Sequence, residues 1–207
     1  GTRTENPAGK LRIKHQQASP IADALPMEQL TELYQQYTTH KSERKPHKRE
    51  VILLSLLVFQ GADVKALRGL ETGHIDFNKG IIYLPGSRRS NGREIGMNPM
   101  QILPLHSYVQ QLPAGQAGLS SSALFAGRVD NMLSQLFVEL KRLQPAIKNA
   151  KQIRASVIMH WLKAYHIRKV QYMAGHRYIT STEGYRKLDL EGLTNALEAH
   201  HPLNILP

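Results

Sequence analysis

Three side chains of different chemistry follow one another in the second half of the chain. Arg154 lies in "KNAKQIRASVIMHWL", His176 in "AGHRYITSTEGY", and Tyr185 closes that second stretch nine positions after the histidine. A guanidinium can clamp an oxyanion, an imidazole can carry a proton, and a phenol can act as a covalent nucleophile. Each type also has a plain structural use. Arg154 flanks a face made by Ile153, Val157, Ile158, Trp161 and Leu162, where it either snorkels past a core or points into a cleft. His176 directly follows Gly175; a glycine there ends a helix and leaves the next side chain projecting. Tyr185 is either helix packing or the atom that does the chemistry. Spacing by itself leaves these alternatives open.

Composition narrows the partner. Lys+Arg number 27 against 16 Asp+Glu, a formal net charge of +11, and the pI is about 9.9. An excess of that size points to a polyanion, nucleic acid first. A membrane partner is disfavoured. No basic amphipathic segment carries a clean apolar face, and the longest apolar run, Val51 to Phe59 broken by Ser55, is too short to span a bilayer. The absence of cysteine excludes a disulfide framework and thiolate metal or redox sites, and points to a reducing, intracellular home. None of the ten histidines has ligand spacing, so no metal is expected. "GSRRSNG" lacks the Gly-Lys-Ser/Thr ending of a P-loop. Ser120 to Ser122 have no partnered base for hydrolase chemistry.

The elements that must position the three residues are mostly helical. At 207 residues the chain suits one domain. Residues 1–25, rich in Pro, Gly and polar groups, read as a basic arm or linker cut from something longer, and Gly1 as a cloning remnant; residues 26–207 read as the domain. No signal peptide begins the chain. Pro26 opens a helix with Leu30, Leu33, Tyr34 and Tyr37 on one face. "HKSERKPHKRE" is a charged connector, and Glu50 to Phe59 a largely buried helix. "GADVKALRGL" is a turn and a short helix. "HIDF", "GIIYLP" and "REIGM" are short strands of a small antiparallel sheet, with a basic hairpin from Ser87 to Arg93. Pro99 starts a helix to about Gln111, and "PAGQAGLSSSALFAG" is a loop. Arg128 to Leu143 is amphipathic, with Val129, Met132, Leu133, Leu136, Phe137 and Leu140 on its apolar side. Asn149 caps a helix to about Tyr165, Ile167 to Ala174 is a short helix stopped by Gly175, Ser181 and Thr182 start the turn that carries Tyr185, and Asp189 caps a last helix to His200.

Taken in order, the arginine, the Gly-His pair and the late tyrosine in a basic, cysteine-free chain resemble the tyrosine recombinase/integrase family. "QIRASVIMHWL" looks like that family's arginine-bearing helix, with His160 where a histidine often stands. "IRKVQYMAGHRYITSTEGY" looks like its "LGH" segment before the nucleophilic tyrosine, and "QGADVKALRGLETGHIDFNKGIIYLP" resembles the earlier helix and first strands. The resemblance covers roughly residues 26–200. It implies a mainly α fold with a small antiparallel sheet, like a tyrosine recombinase catalytic domain. It implies cleavage and rejoining of DNA through a 3′-phosphotyrosyl intermediate that stores the bond energy, so that no cofactor is needed. Carried over, Tyr185 is the nucleophile, Arg154 a clamp arginine and His176 the late phosphate-contacting histidine.

Three positions depart from the family pattern. Asp63 stands where the first clamp arginine belongs, with Lys65 and Arg68 as the nearest basic residues able to compensate. The hairpin has Arg89, not lysine, nearest the position of the leaving-group acid, and arginine is a poor acid because its guanidinium holds its proton throughout the working pH range. Lys151 stands three before Arg154, where histidine is usual. Arg88, Arg93, His160 and Arg177 are assigned to DNA binding. The expected partner is double-stranded DNA; the resemblance implies a homotetramer on paired sites, with the last segment, Asp189 to Pro207, packing onto a neighbouring protomer, while the isolated domain is expected to be a monomer. The expected location is the bacterial cytoplasm at the nucleoid. Two readings follow: a site-specific recombinase, or a catalytically impaired recombinase-fold DNA-binding regulator or accessory protein of a mobile element. An RNA-binding or structural helical protein is the alternative outside the family.

Overall fold

The computed structural model describes residues 24–39, 48–112, 123–125 and 128–186. Most of the expected arm, the charged connector, most of the loop after Leu112 and the expected helix from Asp189 lie outside the described residues.

Helices α1 (Met27–Thr39), α2 (Lys48–Gln60) and the short α3 (Val64–Arg68) precede a three-stranded sheet of β1 (Ile75–Asp76), β2 (Ile81–Leu84) and β3 (Arg93–Gly96). Then come α4 (Pro99–Gln110), α5 (Val129–Leu143), α6 (Ala150–Ala164) and α7 (Ile167–Ala174), with α8 over residues 179–186. The mainly α architecture with one small antiparallel sheet is the one expected from the sequence.

α2 organises the core. Every residue from Ile52 to Gln60 is buried, as befits a helix that is apolar all round, and α1, α4, α5 and α6 pack against it. Leu53, Leu54, Leu56 and Leu57 are 0% exposed, each contributing roughly 1.5–3 kcal/mol by burial. The face expected on α1 (Leu30, Leu33, Tyr34, Tyr37) is buried. So is that of α5, with Phe137 partly buried at its edge.

The sheet runs β1-β2-β3, all antiparallel, with Ile75 opposite Ile82, Ile82 opposite Ile95, and Leu84 opposite Arg93. Its core face is Ile82 and Leu84 from β2, and Arg93 and Ile95 from β3. A charged residue thus takes an inward position of the period-2 pattern. Gln60, fully buried at the end of α2, donates to the Gly96 carbonyl and to Gln101 Oε1 at 3.1 and 2.8 Å, tying the sheet to the helical core. The β2–β3 connection closes on itself through the Ser87–Ser90 backbone pair and reaches across to α7: the Asn91 N–H donates to the Gly175 carbonyl at 2.9 Å.

α6 begins as expected at Asn149, whose side chain accepts the Gln152 N–H at 3.0 Å. α7 stops at Gly175 in the left-handed conformation, φ +68°. α8 starts at residue 179, two residues ahead of the expected Ser181.

Candidate functional site

The site is built on the C-terminus of α7. A helix leaves its last four carbonyls without intrahelical partners, here those of Gln171, Tyr172, Met173 and Ala174. The first two are closed in a Schellman pattern: the His176 N–H donates to Gln171 O at 3.0 Å, and the Gly175 N–H to Tyr172 O at 2.9 Å. The other two are closed by arginines from elsewhere. Arg93 Nε donates to Met173 O at 2.8 Å, and an Arg154 terminal nitrogen donates to Ala174 O at 2.6 Å. One helix end, negative by its dipole, therefore holds two guanidiniums on adjacent carbonyls and projects His176 beside them.

Arg154, half-buried on α6, also donates from its other terminal nitrogen to the Gly61 carbonyl. Gly61 has φ +52°, a conformation open to glycine at little cost, and it turns α2 toward Asp63. The Asp63 carboxylate divides its work. Oδ1 accepts the N–H groups of Lys65 and Ala66 at 3.0 and 2.9 Å, capping α3, while Oδ2 faces Arg93 Nη1 at 4.0 Å.

Burial sets the electrostatics. It lowers the Arg154 pKa, opposed by Asp63 and then by Tyr185. It lowers that of Arg93 to about 10, helped by Arg154 and opposed by Asp63 and Tyr172. Arg93 stays charged at neutral pH, as arginine side chains generally do in proteins. The His176 pKa falls to about 4, first by burial and then by the fields of Arg154 and Arg93, with Asp63 pulling the other way. Its imidazole is therefore neutral at pH 7. His176 Nδ1 lies 2.9 Å from the hydroxyl of the fully buried Thr182, which fixes the ring and leaves Nε2 for a substrate. Against that ring stacks Tyr185, centroids 5.7 Å apart and planes 9° from parallel.

Arg154, His176 and Tyr185 thus meet in one basin. The other expected residues distribute around it. Arg88 and Arg89 are exposed at the tip of the β2–β3 connection. Arg177 is exposed and donates to the Arg88 carbonyl at 3.1 Å, anchoring that tip beside His176. Lys151 and His160 are exposed on α6; among the described residues no hydrogen bond or ion pair joins either to the basin. Neither basic neighbour of Asp63 compensates for it: Lys65 is exposed, and Arg68 pairs outward with Asp130 at 2.5 Å.

Arg93 requires a correction. It does not lie on an exposed basic hairpin but is 1% exposed at the start of β3, inside the basin, because the alternation of the strand turns residues 93 and 95 inward. That alternation, legible in "REIGM", was the signal for it. Thr182 and the Gly61 carbonyl had no comparable signal; only the assembled backbone brings them to the site.

Among the described residues no helix is long and apolar enough to cross a membrane, and no group of three or more His, Asp or Glu could hold a metal ion. Two guanidiniums, a neutral imidazole and a stacked phenol form a set suited to holding an oxyanion against a nucleophilic oxygen.

Comparison with known proteins gives the same direction. The family model described as the Phage integrase family matches residues 23–191. The tyrosine recombinase XerC of Neisseria meningitidis serogroup C is 27% identical over 162 residues, 74% of this chain and 52% of that protein. XerC of Xylella fastidiosa is 26% identical over 168 residues, 74% of this chain and 53% of that protein. The chain spans about half the length of the curated relatives it matches. The solved structure of XerH recombinase in a post-cleavage complex with a palindromic difH substrate has a TM-score of 0.68 at 17% identity, covering 87% of this chain and 54% of that one. XerA recombinase has a TM-score of 0.63 at 19% identity, covering 86% and 65%. These likenesses establish the fold as that of tyrosine recombinase catalytic domains.

Proposed function

The chain belongs to the phage integrase family, and from that premise we propose that it is the catalytic part of a site-specific DNA strand transferase. Its partner is duplex DNA, and it assembles on paired sites in the bacterial cytoplasm. Tyr185 is the nucleophile. Its oxygen attacks a DNA phosphorus, the phosphorus–5′-oxygen bond breaks, and a 3′-phosphotyrosyl link forms. The phenol gives up its proton and the departing 5′-oxygen takes one up, so the step is proton-neutral. Arg154 holds a non-bridging oxygen. His176, neutral and pinned by Thr182, offers Nε2 to the phosphate or to the proton of the phenol.

The observation that carries this reading is the stacking of Tyr185 on His176 beside an arginine already docked on the end of α7. The arrangement sets a guanidinium, a neutral imidazole and a phenol side by side, the types that transfer of a phosphoryl group to a tyrosine requires. Support for the partner comes from the net charge of +11, from the exposed Arg88, Arg89 and Arg177 at one rim, and from XerH, whose solved structure is bound to its difH substrate. Arg89, with Arg88 beside it, stands nearest in the family pattern to the group that faces the leaving oxygen. It steadies charge there without serving as an efficient acid.

The test uses a pool of duplexes with a bridging 5′-phosphorothiolate at a fixed position between randomised flanks. The sulfur leaves without an acid, so the assay needs neither a lysine nor a known site. A covalent protein–DNA band on a denaturing gel, absent from Tyr185→Phe, is the expected result. A pool that yields no covalent band at any DNA concentration contradicts the proposal.

A further inference from the structure

The basin contains a guanidinium whose two terminal nitrogens donate to no group among the described residues. Arg93 has a side-chain exposure of 0%, and among the described residues Nη1 and Nη2 have no hydrogen-bond partner. A buried donor left unmade costs free energy, more so in a charged group. Arg93 is nonetheless held firmly: Nε is fixed on Met173 O, and the side chain lies so close to Gly175 that a Cβ there would sit 2.5 Å from Nη1 and 2.9 Å from Cδ. The chain has shaped a glycine turn around it. What faces its free nitrogens is the second oxygen of Asp63, at 4.0 Å, too far for a hydrogen bond.

We propose that Arg93 supplies the second guanidinium of the phosphate clamp, reaching the site from β3 instead of from the turn before α3, and that the Asp63 carboxylate is an internal placeholder anion which the DNA phosphate displaces. The inference rests on the strand-transferase reading and extends it. The family pattern requires an arginine where Asp63 stands, and a carboxylate aimed at a phosphate should abolish binding. Arg93 removes that contradiction. With the site empty, two guanidiniums and one carboxylate leave it a single net positive charge. When a phosphate enters, Asp63 Oδ1 keeps its cap on α3, Oδ2 yields its place, and the free Nη1 and Nη2 of Arg93 acquire the acceptors they lack. The zero exposure of Arg93 belongs to this resting state, in which Asp63, itself 24% exposed, stands on the solvent side of the pair.

The experiment titrates the full chain with orthovanadate, an oxyanion able to take the five-coordinate geometry of phosphoryl transfer, and follows it by vanadium NMR. Melting temperatures are recorded in parallel. Arg93→Met is expected to weaken vanadate about tenfold or more, the loss of charge-assisted contacts, with a melting temperature equal to or above that of the parent, since an unsatisfied buried charge has gone. Asp63→Asn, which preserves the cap, is expected to tighten vanadate severalfold and to lower the melting temperature. The double variant is expected to bind as weakly as Arg93→Met. Arg93→Lys, which keeps the charge but loses the fork, gives a severalfold loss and serves if the methionine variant does not fold. Arg142→Gln, an exposed control paired with Glu139, should change nothing.

Vanadate affinity unchanged in Arg93→Met, or restored to the parent value in the double variant, overturns the proposal: Arg93 would then merely cancel Asp63. The phosphorothiolate assay separates this from the underlying reading. A covalent band of equal yield in Arg93→Met defeats the clamp and leaves strand transfer standing. Vanadate binding that follows Arg93 in a chain forming no covalent band defeats strand transfer and leaves an oxyanion site.

Discussion

The imidazole of His176 and the phenol of Tyr185 lie face to face, centroids 5.7 Å apart and planes 9° from parallel. The contact spans the αL turn at Gly175 and the first turns of α8, and it sets the phenol ring against the imidazole beside the arginines on the α7 carbonyls. Removing the imidazole should therefore cost chemistry more than binding. His176→Ala is expected to slow covalent capture of the phosphorothiolate pool by about 10²-fold or more while leaving duplex affinity within about twofold, as read by single-turnover kinetics and fluorescence anisotropy.

Acid should act on the same residue. In the unfolded chain His176 titrates near its ordinary value of 6.5, and in the fold near 4. The unfolded state therefore binds more protons over that interval, and stability rises with pH. The stability that His176 gains by remaining neutral is present above about pH 6.5 and is lost as pH falls through about 4. Urea unfolding at a series of pH values should show a steeper acid loss in the parent than in His176→Gln. Parallel curves would remove the basis for a neutral imidazole.

Gly175 is the hinge of the construction. Its φ of +68° disfavours any L side chain, and a Cβ would meet the Asn91 carbonyl at 2.9 Å as well as Arg93. Gly175→Ala is expected to cost about 1–2 kcal/mol from the left-handed backbone alone, with further loss from the contact, and to depress covalent capture by displacing Arg93. Gly73→Ala, where nothing lies within 4 Å, is the neutral comparison. Thermal melts and capture yields for the two should diverge.

Much of this was legible in the sequence where periodicity or a cap decides the structure. The α1 and α5 faces, the Asn149 cap, the Gly175 stop and the three strands all follow local rules, and Arg154, His176 and Tyr185 stand out as a set through the family resemblance that their motifs carry. In sequence Arg93 reads with Arg88 and Arg89 as part of one basic hairpin, Ser87 to Arg93; the period-2 register of β3 turns its side chain inward instead. The pairing of Asp63 with Arg93 joins α3 to β3 and depends on tertiary packing, so no window of sequence contains it. The same holds for the arginines on Met173 and Ala174, since a helix end does not specify which distant side chain will close its carbonyls.

The rim should behave as a phosphate-contacting surface. Arg88→Ala and Arg177→Ala are each expected to weaken binding to duplexes of unrelated sequence alike and to reduce the magnitude of the log–log salt slope by about 1. Arg177→Ala should have the larger effect, because its hydrogen bond to Arg88 O also steadies the tip. Anisotropy titrations from low to moderate salt measure both.

The central claim concerns one oxygen, and other tyrosines are available to test it. Tyr172 and Tyr178 are 54% and 67% exposed close to the basin, more accessible than the partly buried Tyr185. After capture of the phosphorothiolate pool and nuclease digestion, peptide mass spectrometry should find the residual nucleotide on Tyr185, and Tyr185→Phe should yield no adduct. A nucleotide mapped to Tyr172 or Tyr178, or an adduct that survives in Tyr185→Phe, would contradict the account.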